Sequence, residues 1–253
     1  MLSFSEQGRG PALVLLHAYP LDRSMWQAQM DLFSRSYRVV TPDVFGFGGS
    51  QPPRSWTMSD MGDALLALLD HVQIEKCTLA GLSMGGYISI PFALAHPERV
   101  ERLVLAHTRA RADFEAEKTA RNDMIAALKQ DGITVLPDRM IPRLLAANAS
   151  AEVKKVVRDS ILRTSSEACV HAVTAMRDRI DQTSNLARIS CPTLVITGDA
   201  DAIIKVEDSE KMAAALPHGK LCVIPGAGHL SNLENPAAFN QALDEFLTPS
   251  GSR

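Results

Sequence analysis

The chain has 253 residues, of which 46% are hydrophobic, so it can bury a substantial core in one large α/β domain with an insertion or in two small domains. Its 26 Lys and Arg nearly balance 29 Asp and Glu, and the net charge of -3 provides no basic field for nucleic acid or anionic lipids. The composition therefore argues against a disordered chain and against a nucleic-acid-binding function.

The first residues lack the pattern of a targeting signal. They have no cationic start, and the apolar run ALVLL is too short for a signal-peptide core or a membrane span. We therefore expect a cytoplasmic protein without a membrane partner.

The cysteines are widely spaced along the chain. Neither a C-x-x-C pair nor a local zinc cluster can be assembled from Cys77, Cys169, Cys191 and Cys222. Buried free thiols are the expected state, because cysteine is among the most often buried residue types.

Short apolar runs typical of buried strands alternate with helical patterns. The runs are ALVLL (12–16), RVVT (38–41), CTLA (77–80), RLVLA (102–106), TLVIT (193–197) and KLCVI (220–224). At most one brief strand is expected before the first run. Helices are predicted over 57–72, after Ser83, over 206–216 and over 236–247. This alternation predicts an α/β fold with a mostly parallel central sheet, helices on both faces and chemistry at the carboxyl ends of the strands.

Two of these helices begin with recognisable signals. Thr57 stands three positions before Asp60, as in a capping box, and Pro236 is favoured in the first turn of a helix. Pro91, in contrast, is expected to kink the helix after Ser83 or to end its first portion.

One segment interrupts the alternation of strands and helices. No glycine occurs from Ile133 to Thr197, and helical patterns cover 112–131, 138–146, 150–163 and 166–180. These patterns predict a helical cap, inserted after the strand ending near Ala106 and lying over the carboxyl edge of the sheet. The expected domains are a core formed by residues 1–108 and 188–253, and a cap formed by residues 109–187.

The stretch TLAGLSMGGY (78–87) places Ser83 among glycines, between an apolar run and a helical pattern. GLSMG fits the G-x-S-x-G nucleophile elbow, in which glycines permit close backbone approach beside a strained serine. The preceding strand and following helix supply the context that the motif requires. Ser83 is therefore the predicted nucleophile, in preference to a residue of a glycine-rich turn without catalytic role.

A serine hydroxyl needs a base within hydrogen-bond reach, and that base needs an orienting acid. His229 lies in a glycine-containing loop after the last predicted strand and is the predicted base. Asp201, in the loop after TLVIT, is the predicted acid, with Asp199 as the alternative. The order Ser83, Asp201, His229 is the order of α/β-hydrolases.

The remaining histidines are less favourably placed. Helix faces or helix ends are expected for His71, His96, His171 and His218. His17 and His107 each follow a predicted strand and could reach the active edge, where a structural or pocket-lining role is favoured over base catalysis. Asp43, which precedes a run of glycines, is expected to stabilise a turn.

Five motifs in chain order resemble the α/β-hydrolase superfamily over essentially the whole chain: LLHAYPLDRSMW, TPDVFGFGGS, AGLSMGGY, GDADAII and GHLSNLENPAAF. The resemblance is closest to the branch of 3-oxoadipate enol-lactonases and small carboxylesterases, through HAYPLDRSMW, LVLAHTRAR and GHLSNLENPAAF. A dehalogenase is disfavoured, because that branch needs an aspartate where this chain has Ser83.

The resemblance implies a serine hydrolase that cleaves small carboxylic esters through an acyl-serine intermediate, without a cofactor or a metal. A lactonase, a carbon-carbon bond hydrolase or a perhydrolase with the same triad remains an alternative. A small-ligand receptor of the same fold, with little turnover, is an alternative from another class of function.

Two backbone N–H groups are the expected donors to the oxyanion of acyl transfer. One is Met84, which follows the nucleophile. By resemblance the other is Tyr19, because the family pattern His-Gly-x appears here as His17-Ala18-Tyr19. Ala18 in place of glycine implies either ordinary backbone or a strained loop. A cis Tyr19–Pro20 bond is also predicted.

The cap is expected to close a mostly apolar pocket. The candidate substrate-binding residues are Leu21, Trp26, His107, Met124, Leu128, Met140, Leu144 and Met176. Arg109 or Arg111 is the candidate cation for the dicarboxylate-type ligand of a lactonase, whereas the absence of tryptophan from the cap favours a carboxylesterase. We expect a small-molecule ester or lactone as substrate and a monomer or homodimer.

Overall fold

One seven-stranded sheet runs through the residues that the computed structural model describes, 1–53 and 55–248. Its strands are β1 (Phe4–Gln7), β2 (Ala12–Leu16), β3 (Arg38–Pro42), β4 (Cys77–Leu82), β5 (Val100–Ala106), β6 (Thr193–Gly198) and β7 (Gly219–Ile224). Their order is β1-β3-β2-β4-β5-β6-β7. Strand β1 pairs antiparallel with β3, and the other pairings are parallel. The mostly parallel sheet predicted from the sequence is confirmed.

The helices follow the predicted alternation closely. They are α1 (Gln27–Phe33), α2 (Met58–His71), α3 (Met84–Ala95), α4 (Glu115–Asp131), α5 (Leu136–Leu144), α6 (Ala151–Arg163), α7 (Ser166–Arg177), α8 (Val206–Ala215), α9 (Ser231–Glu234) and α10 (Pro236–Leu247). Helices α4 to α7 lie between β5 and β6, within the segment 109–187; the bounds of a separate cap domain stay a prediction. Among the described helices, none combines the length and apolar character needed to cross a bilayer.

The central strands are apolar because they are buried in the middle of the sheet. Every residue of β4 and β6 is buried, as are the last four residues of β2 and of β5. Strand β7 lies at the edge, and only its last residue, Ile224, is fully buried. An apolar run therefore marks a strand most clearly where neighbours cover it.

Local signals place the helix ends correctly. The Thr57 side chain accepts a hydrogen bond from the Asp60 N–H, and the Asp60 carboxylate accepts from the Thr57 N–H, which completes the capping box. Pro236 occupies the first turn of α10. Pro91 lies inside α3, which continues to Ala95, so the expectation that it could end the helix was wrong. Burial of the residues around it holds the helix together.

The four cysteines are free. Cys77 and Cys169 are buried, and burial raises the pKa of each thiol to about 12. Cys191 and Cys222 are half-buried. The prediction of buried thiols is therefore confirmed for Cys77 and Cys169, whereas Cys191 and Cys222 are only partly buried.

Two helical glycines have contrasting surroundings. A Cβ added to Gly85 in α3 would lie 2.3 Å from the carbonyl oxygen of Leu16, whereas one added to Gly62 in α2 would meet only Phe92, at 3.9 Å. We expect Gly85→Ala to lower the free energy of unfolding by about 1–3 kcal/mol through overpacking. Gly62→Ala should raise it by about 0.5–1 kcal/mol, because alanine is the better helix former. Urea unfolding measures both; equal stability of the two variants would contradict the close approach of α3 to β2.

Candidate active site

Ser83 occupies the sharp turn between β4 and α3. Its backbone has a positive φ (φ 56°, ψ -109°), which is costly for a residue other than glycine. The neighbouring strand holds it there: the Ser83 N–H donates to the Ala106 carbonyl at 2.8 Å, and the Thr108 hydroxyl donates to the Ser83 carbonyl at 2.9 Å. The strand, turn and helix that the elbow motif requires are therefore present.

Asp201 lies in the loop after β6 with its side chain fully buried. Its Oδ1 accepts from the N–H groups of Ile203 and Ile204, at 2.7 and 3.0 Å. Its Oδ2 faces Nδ1 of His229 at 2.9 Å and Nδ1 of His107 at 2.8 Å. Burial alone would raise the pKa of Asp201, but the charge of His229 and the hydrogen bonds from both imidazoles hold it well below its usual value. Asp201 is therefore ionised and rigidly held.

The alternative acid, Asp199, points elsewhere. It is exposed, and its Oδ1 accepts from the Gly226 N–H at 2.7 Å. This contact joins the loops after β6 and β7. Of the two candidate acids, only Asp201 contacts a histidine.

His229 lies in the loop between β7 and α9. Its backbone N–H donates to the Leu144 carbonyl at 3.0 Å, which fastens this loop to the end of α5. Because Asp201 is an acceptor, Nδ1 of His229 carries the proton, and Nε2 is the basic nitrogen. Nε2 is buried and has no hydrogen-bond partner among the described residues. Ser83 and His229 line the same cavity, so the structure brings the three predicted triad residues to one place.

His17 and Asp43 are structural rather than catalytic in their contacts. His17 is fully buried, donates from Nδ1 to the Ala18 carbonyl at 3.0 Å and accepts from the Val44 N–H at 2.9 Å. Burial lowers the pKa of His17. The Asp43 carboxylate, also buried, accepts from Arg23 and from the Gly49 N–H. Both side chains fix loops beside the site.

The other histidines lie away from the cavity, as expected. His71 ends α2, His96 follows α3, His171 lies within α7 and His218 precedes β7. None of these four lines the cavity that contains Ser83.

Of the two candidate oxyanion donors, Met84 follows Ser83 in the chain and Tyr19 lines the same cavity as Ser83. Met84 is the first residue of α3, where backbone N–H groups have no partner within the helix. Among the described residues, neither the Met84 nor the Tyr19 N–H donates to a protein acceptor. Ala18 does not have a positive φ, so of the two possibilities the ordinary backbone is the one observed. The predicted cis Tyr19–Pro20 bond is present.

The cavity has a volume of about 180 Å³. Of the predicted substrate-binding residues, Met124, Met140, Leu144 and Met176 line it. The other four do not: Leu21, Trp26 and Leu128 are packed in the core, and His107 contacts Asp201 instead. A helical pattern shows that a side chain is buried, but the same pattern is produced by the core and by a cavity wall.

The expected mostly apolar lining is also corrected, because charged groups form one wall. Glu117 accepts from Arg109 at 2.6 Å and from both terminal nitrogens of Arg111 at 2.5 and 2.8 Å. Arg109 lines the cavity, whereas Arg111 does not. Both candidate cations thus pair with one glutamate, whose single negative charge they share. Glu117 is not among the site residues predicted from the sequence.

A second acid on this wall, Asp113, pairs with Arg121 and with Arg179. Arg143, on α5, also lines the cavity; it is exposed and has no salt-bridge partner among the described residues. The lining therefore holds three arginines (Arg109, Arg121 and Arg143) and two acids (Asp113 and Glu117), an excess of one positive charge. The sequence RARADFEAE carried this alternation of charge, but only the fold shows that it faces the cavity.

The Arg111–Glu117 pair makes stability depend on pH. Hydrogen bonds from Arg111 lower the pKa of Glu117 from 4.5 to about 2, so its stabilising contribution is complete above pH 4.5 and is lost as the pH falls toward 2. We expect Glu117→Gln to destabilise the protein more at pH 7 than at pH 3, as measured by urea unfolding. Glu115→Gln, on the same helix but exposed, is the control and should change stability little. An equal loss at both pH values for Glu117→Gln would contradict the pair.

His107, Asp201 and His229 are also a group from which a metal site could be built, since one ligand atom from each lies within 4.8 Å of the others. Both Nδ1 atoms already direct their protons at the Asp201 carboxylate. A metal ion would have to displace these two hydrogen bonds. The observed geometry is that of an acid with two imidazole donors.

Comparison with known proteins agrees with the fold. Residues 11–236 match the family model for the alpha/beta hydrolase fold. The 3-oxoadipate enol-lactonase 2 of Acinetobacter baylyi is 31% identical over 245 residues, covering 95% of this chain and 90% of that protein. A thermophilic esterase from Thermogutta terrifontis, solved with malate bound, superposes with a TM-score of 0.94 at 39% identity, covering 97% of this chain and 92% of that one. The enol-lactonase from Burkholderia xenovorans LB400 gives 0.91 at 28% identity, with 97% and 96% covered. The chain therefore belongs to the α/β-hydrolase family.

Proposed function

We propose that this protein is a serine hydrolase that cleaves small carboxylic esters. One observation carries the proposal: Ser83, strained at the elbow, shares a cavity with His229, whose Nδ1 is bound to Asp201 and whose Nε2 is free. This is the arrangement that converts a weakly nucleophilic hydroxyl into an attacking group. The esterase and the enol-lactonases among its relatives support the same chemistry.

In the proposed mechanism, the Ser83 hydroxyl attacks the ester carbonyl while His229 Nε2 takes its proton. The buried Asp201 carboxylate stabilises the imidazolium that forms. His229 then returns the proton to the leaving alcohol, and an acyl-serine remains. Water, activated by the same imidazole, releases the acid and restores Ser83. No cofactor takes part in these steps.

The negative charge of the tetrahedral intermediate needs donors that are oriented in advance. We assign this role to the backbone N–H groups of Tyr19, which lines the cavity with Ser83, and of Met84, which follows Ser83 in the chain. Neither N–H has another acceptor among the described residues. Each such donor contributes about 2.7–4 kcal/mol to the stabilisation of the transition state. Because these donors belong to the backbone, Ala18 does not weaken the assignment.

Turnover of p-nitrophenyl acetate and p-nitrophenyl butyrate tests the proposal. A cavity of about 180 Å³ favours small acyl groups, so acetate should be cleaved at least as well as butyrate. Labelling of Ser83 by a fluorophosphonate should abolish the activity. Binding of ester or lactone without turnover would instead support a small-ligand receptor, the competing function from another class.

The excess of one positive charge in the cavity lining supports a second candidate function. This function is the hydrolysis of lactones or half-esters that carry a free carboxylate. Of the three arginines that line the cavity, Arg143 has no salt-bridge partner among the described residues. Arg143→Gln should therefore lower kcat/KM for monomethyl glutarate about two- to fivefold, and leave dimethyl glutarate unchanged. Arg139→Gln, on the same helix but away from the cavity, is the control. Equal effects on both esters would exclude a carboxylate contact at Arg143.

The pH profile gives an independent prediction. Protonation of Nε2 removes the base, so kcat/KM for p-nitrophenyl acetate should fall on acidification between pH 8 and 5. Asp201 stays ionised throughout this range, because its pKa is held well below its usual value. A single acidic limb is therefore expected, and a flat profile over the same range would exclude a histidine base.

A further inference from the structure

We propose that His107, supported by Ser231, is a positioning residue that shares the charge of Asp201 with His229 and thereby sets the pH at which His229 becomes an active base. The proposal rests on the proposed function for its kinetic readout. It concerns a pair of side chains that the catalytic steps do not use.

The two imidazoles converge on one carboxylate oxygen. His107 follows β5, and its Nδ1 lies 2.8 Å from Asp201 Oδ2, the same atom that His229 contacts at 2.9 Å. The rings are nearly perpendicular, at 69°, with centroids 5.5 Å apart. Nε2 of His107 lies 2.6 Å from the Ser231 hydroxyl oxygen. Ser231, His107 and Asp201 thus form a second serine–histidine–aspartate array with the same acid.

This second array cannot attack a substrate. Ser231 and His107 have no exposed surface, and neither lines the cavity that contains Ser83. A nucleophile without access to an ester has no catalytic step to perform. What remains is an effect on Asp201, the residue that both arrays share.

The contacts assign the proton positions. An ionised carboxylate only accepts, so Nδ1 of His107 is the donor. Burial lowers the pKa of His107 and favours the neutral imidazole. In that form Nε2 carries no proton and accepts from the Ser231 hydroxyl, so His107 is held as the Nδ1–H tautomer. No second positive charge is placed beside His229.

The backbone at His107 is an independent sign that this position is constrained. Its φ is +49°, and the residues other than glycine with positive φ in the described chain are Gln73, Ser83 and His107. The His107 N–H donates to the Ile196 carbonyl at 2.8 Å, which holds the strained turn against β6. Glycine or asparagine would adopt this conformation at lower cost. Strain of this kind persists where the surrounding structure imposes it, often at functional sites.

The expected consequence has a definite sign. Asp201 Oδ2 divides its hydrogen-bonding capacity between two donors, so each imidazole receives part of the stabilisation. Loss of the His107 donor directs more of the carboxylate charge to His229, stabilises the imidazolium and moves the acidic limb of activity to higher pH. The other charged groups around this site are Glu234 on α9 and the five that line the cavity with His229, namely Arg109, Asp113, Glu117, Arg121 and Arg143. None of these is altered by substitution at position 107.

The test compares His107→Leu, which has no donor, with His107→Asn, whose amide can still donate to Asp201 and tolerates a positive φ. The pH dependence of kcat/KM for p-nitrophenyl acetate is measured for both. The acidic limb of the leucine variant should move up by about 0.5–1 pH unit, and that of the asparagine variant should stay within about 0.3 unit of the parent. An unmoved limb in the leucine variant, or equal shifts in both, would overturn the proposal.

A second measurement needs neither a variant nor activity. Nitrogen-15 NMR of histidine-labelled protein should show both His107 and His229 as Nδ1–H tautomers at pH 8, and His107 should remain neutral down to pH 6. An Nε2–H tautomer or an imidazolium at His107 would overturn the proposal even if esterase activity were confirmed. If no ester were turned over, the titration of His229 in the two variants would still decide the question, so failure of this inference and of the proposed function are separable.

Discussion

Replacement of Ser83 by alanine is expected to lower kcat for p-nitrophenyl acetate by about 10⁶, the loss seen when a triad that acts as a unit loses its nucleophile. The fold should survive, because Ser83 holds its position through its backbone N–H and carbonyl rather than its hydroxyl. Alanine also adds no backbone strain at this positive φ, because serine already carries the same Cβ there. The measurement is steady-state kinetics, with circular dichroism to confirm folding.

Ser209→Ala is the matched control for this prediction. Ser209 is a fully buried serine on α8 that does not line the cavity, and its hydroxyl has no hydrogen-bond partner among the described residues. Its removal should leave kcat unchanged. The double variant Ser83→Ala/His229→Ala should be no slower than Ser83→Ala alone, since the base has no function without the hydroxyl. An esterase rate that survives in Ser83→Ala would assign the chemistry to another residue.

Substitution of Asp201 by asparagine should lower kcat by about 10⁴, because the acid that selects the His229 tautomer and stabilises the imidazolium is lost. The geometry of this site makes the effect severe. Oδ2 of Asp201 accepts from two imidazoles and Oδ1 from two backbone N–H groups. An amide has one oxygen, so whichever way it is oriented, its NH₂ group faces donors that it cannot satisfy.

Asp199→Asn is the matched control for the acid. It makes the same chemical change two residues away, at an exposed carboxylate that contacts the Gly226 N–H and no histidine. Its activity should stay within about twofold of the parent, as surface substitutions away from special contacts have small effects. If Asp199→Asn proved as inactive as Asp201→Asn, the assignment of the acid would have to be reversed.

Much of the fold could be predicted because the signals are local. A strand in the middle of a parallel sheet must be apolar along its whole length, so CTLA and TLVIT mark β4 and β6 within a few residues. The Thr57 capping box needs only residues three apart. The effect of Pro91 on α3 was predicted less well. The helix continues past this proline, because burial of the surrounding residues outweighs its local preference against a helix.

The site was predicted only as far as local signals extend. The elbow motif identifies Ser83 because glycines are needed within a few residues of it, and the strand ends place Asp201 and His229 at the same edge of the sheet. From the sequence, residues that line the cavity could not be distinguished from residues packed in the core. Leu128 and Met124 lie on one helix, and the first is packed while the second lines the cavity.

The sequence by itself determined the strand and helix order, the elbow at Ser83 and the chain order of the triad, since each depends on residues close together or on the periodicity of one element. Only the tertiary structure decided that Glu117 pairs with both Arg109 and Arg111, and that His107, itself bound to Ser231, contacts Asp201. Residues 107 and 201 lie in loops and residue 231 begins α9, far apart in the sequence. Hydrogen bonds between such distant residues produce no periodic pattern along the chain. Their geometry is set by the packing of β5, β6 and α9 around one buried carboxylate.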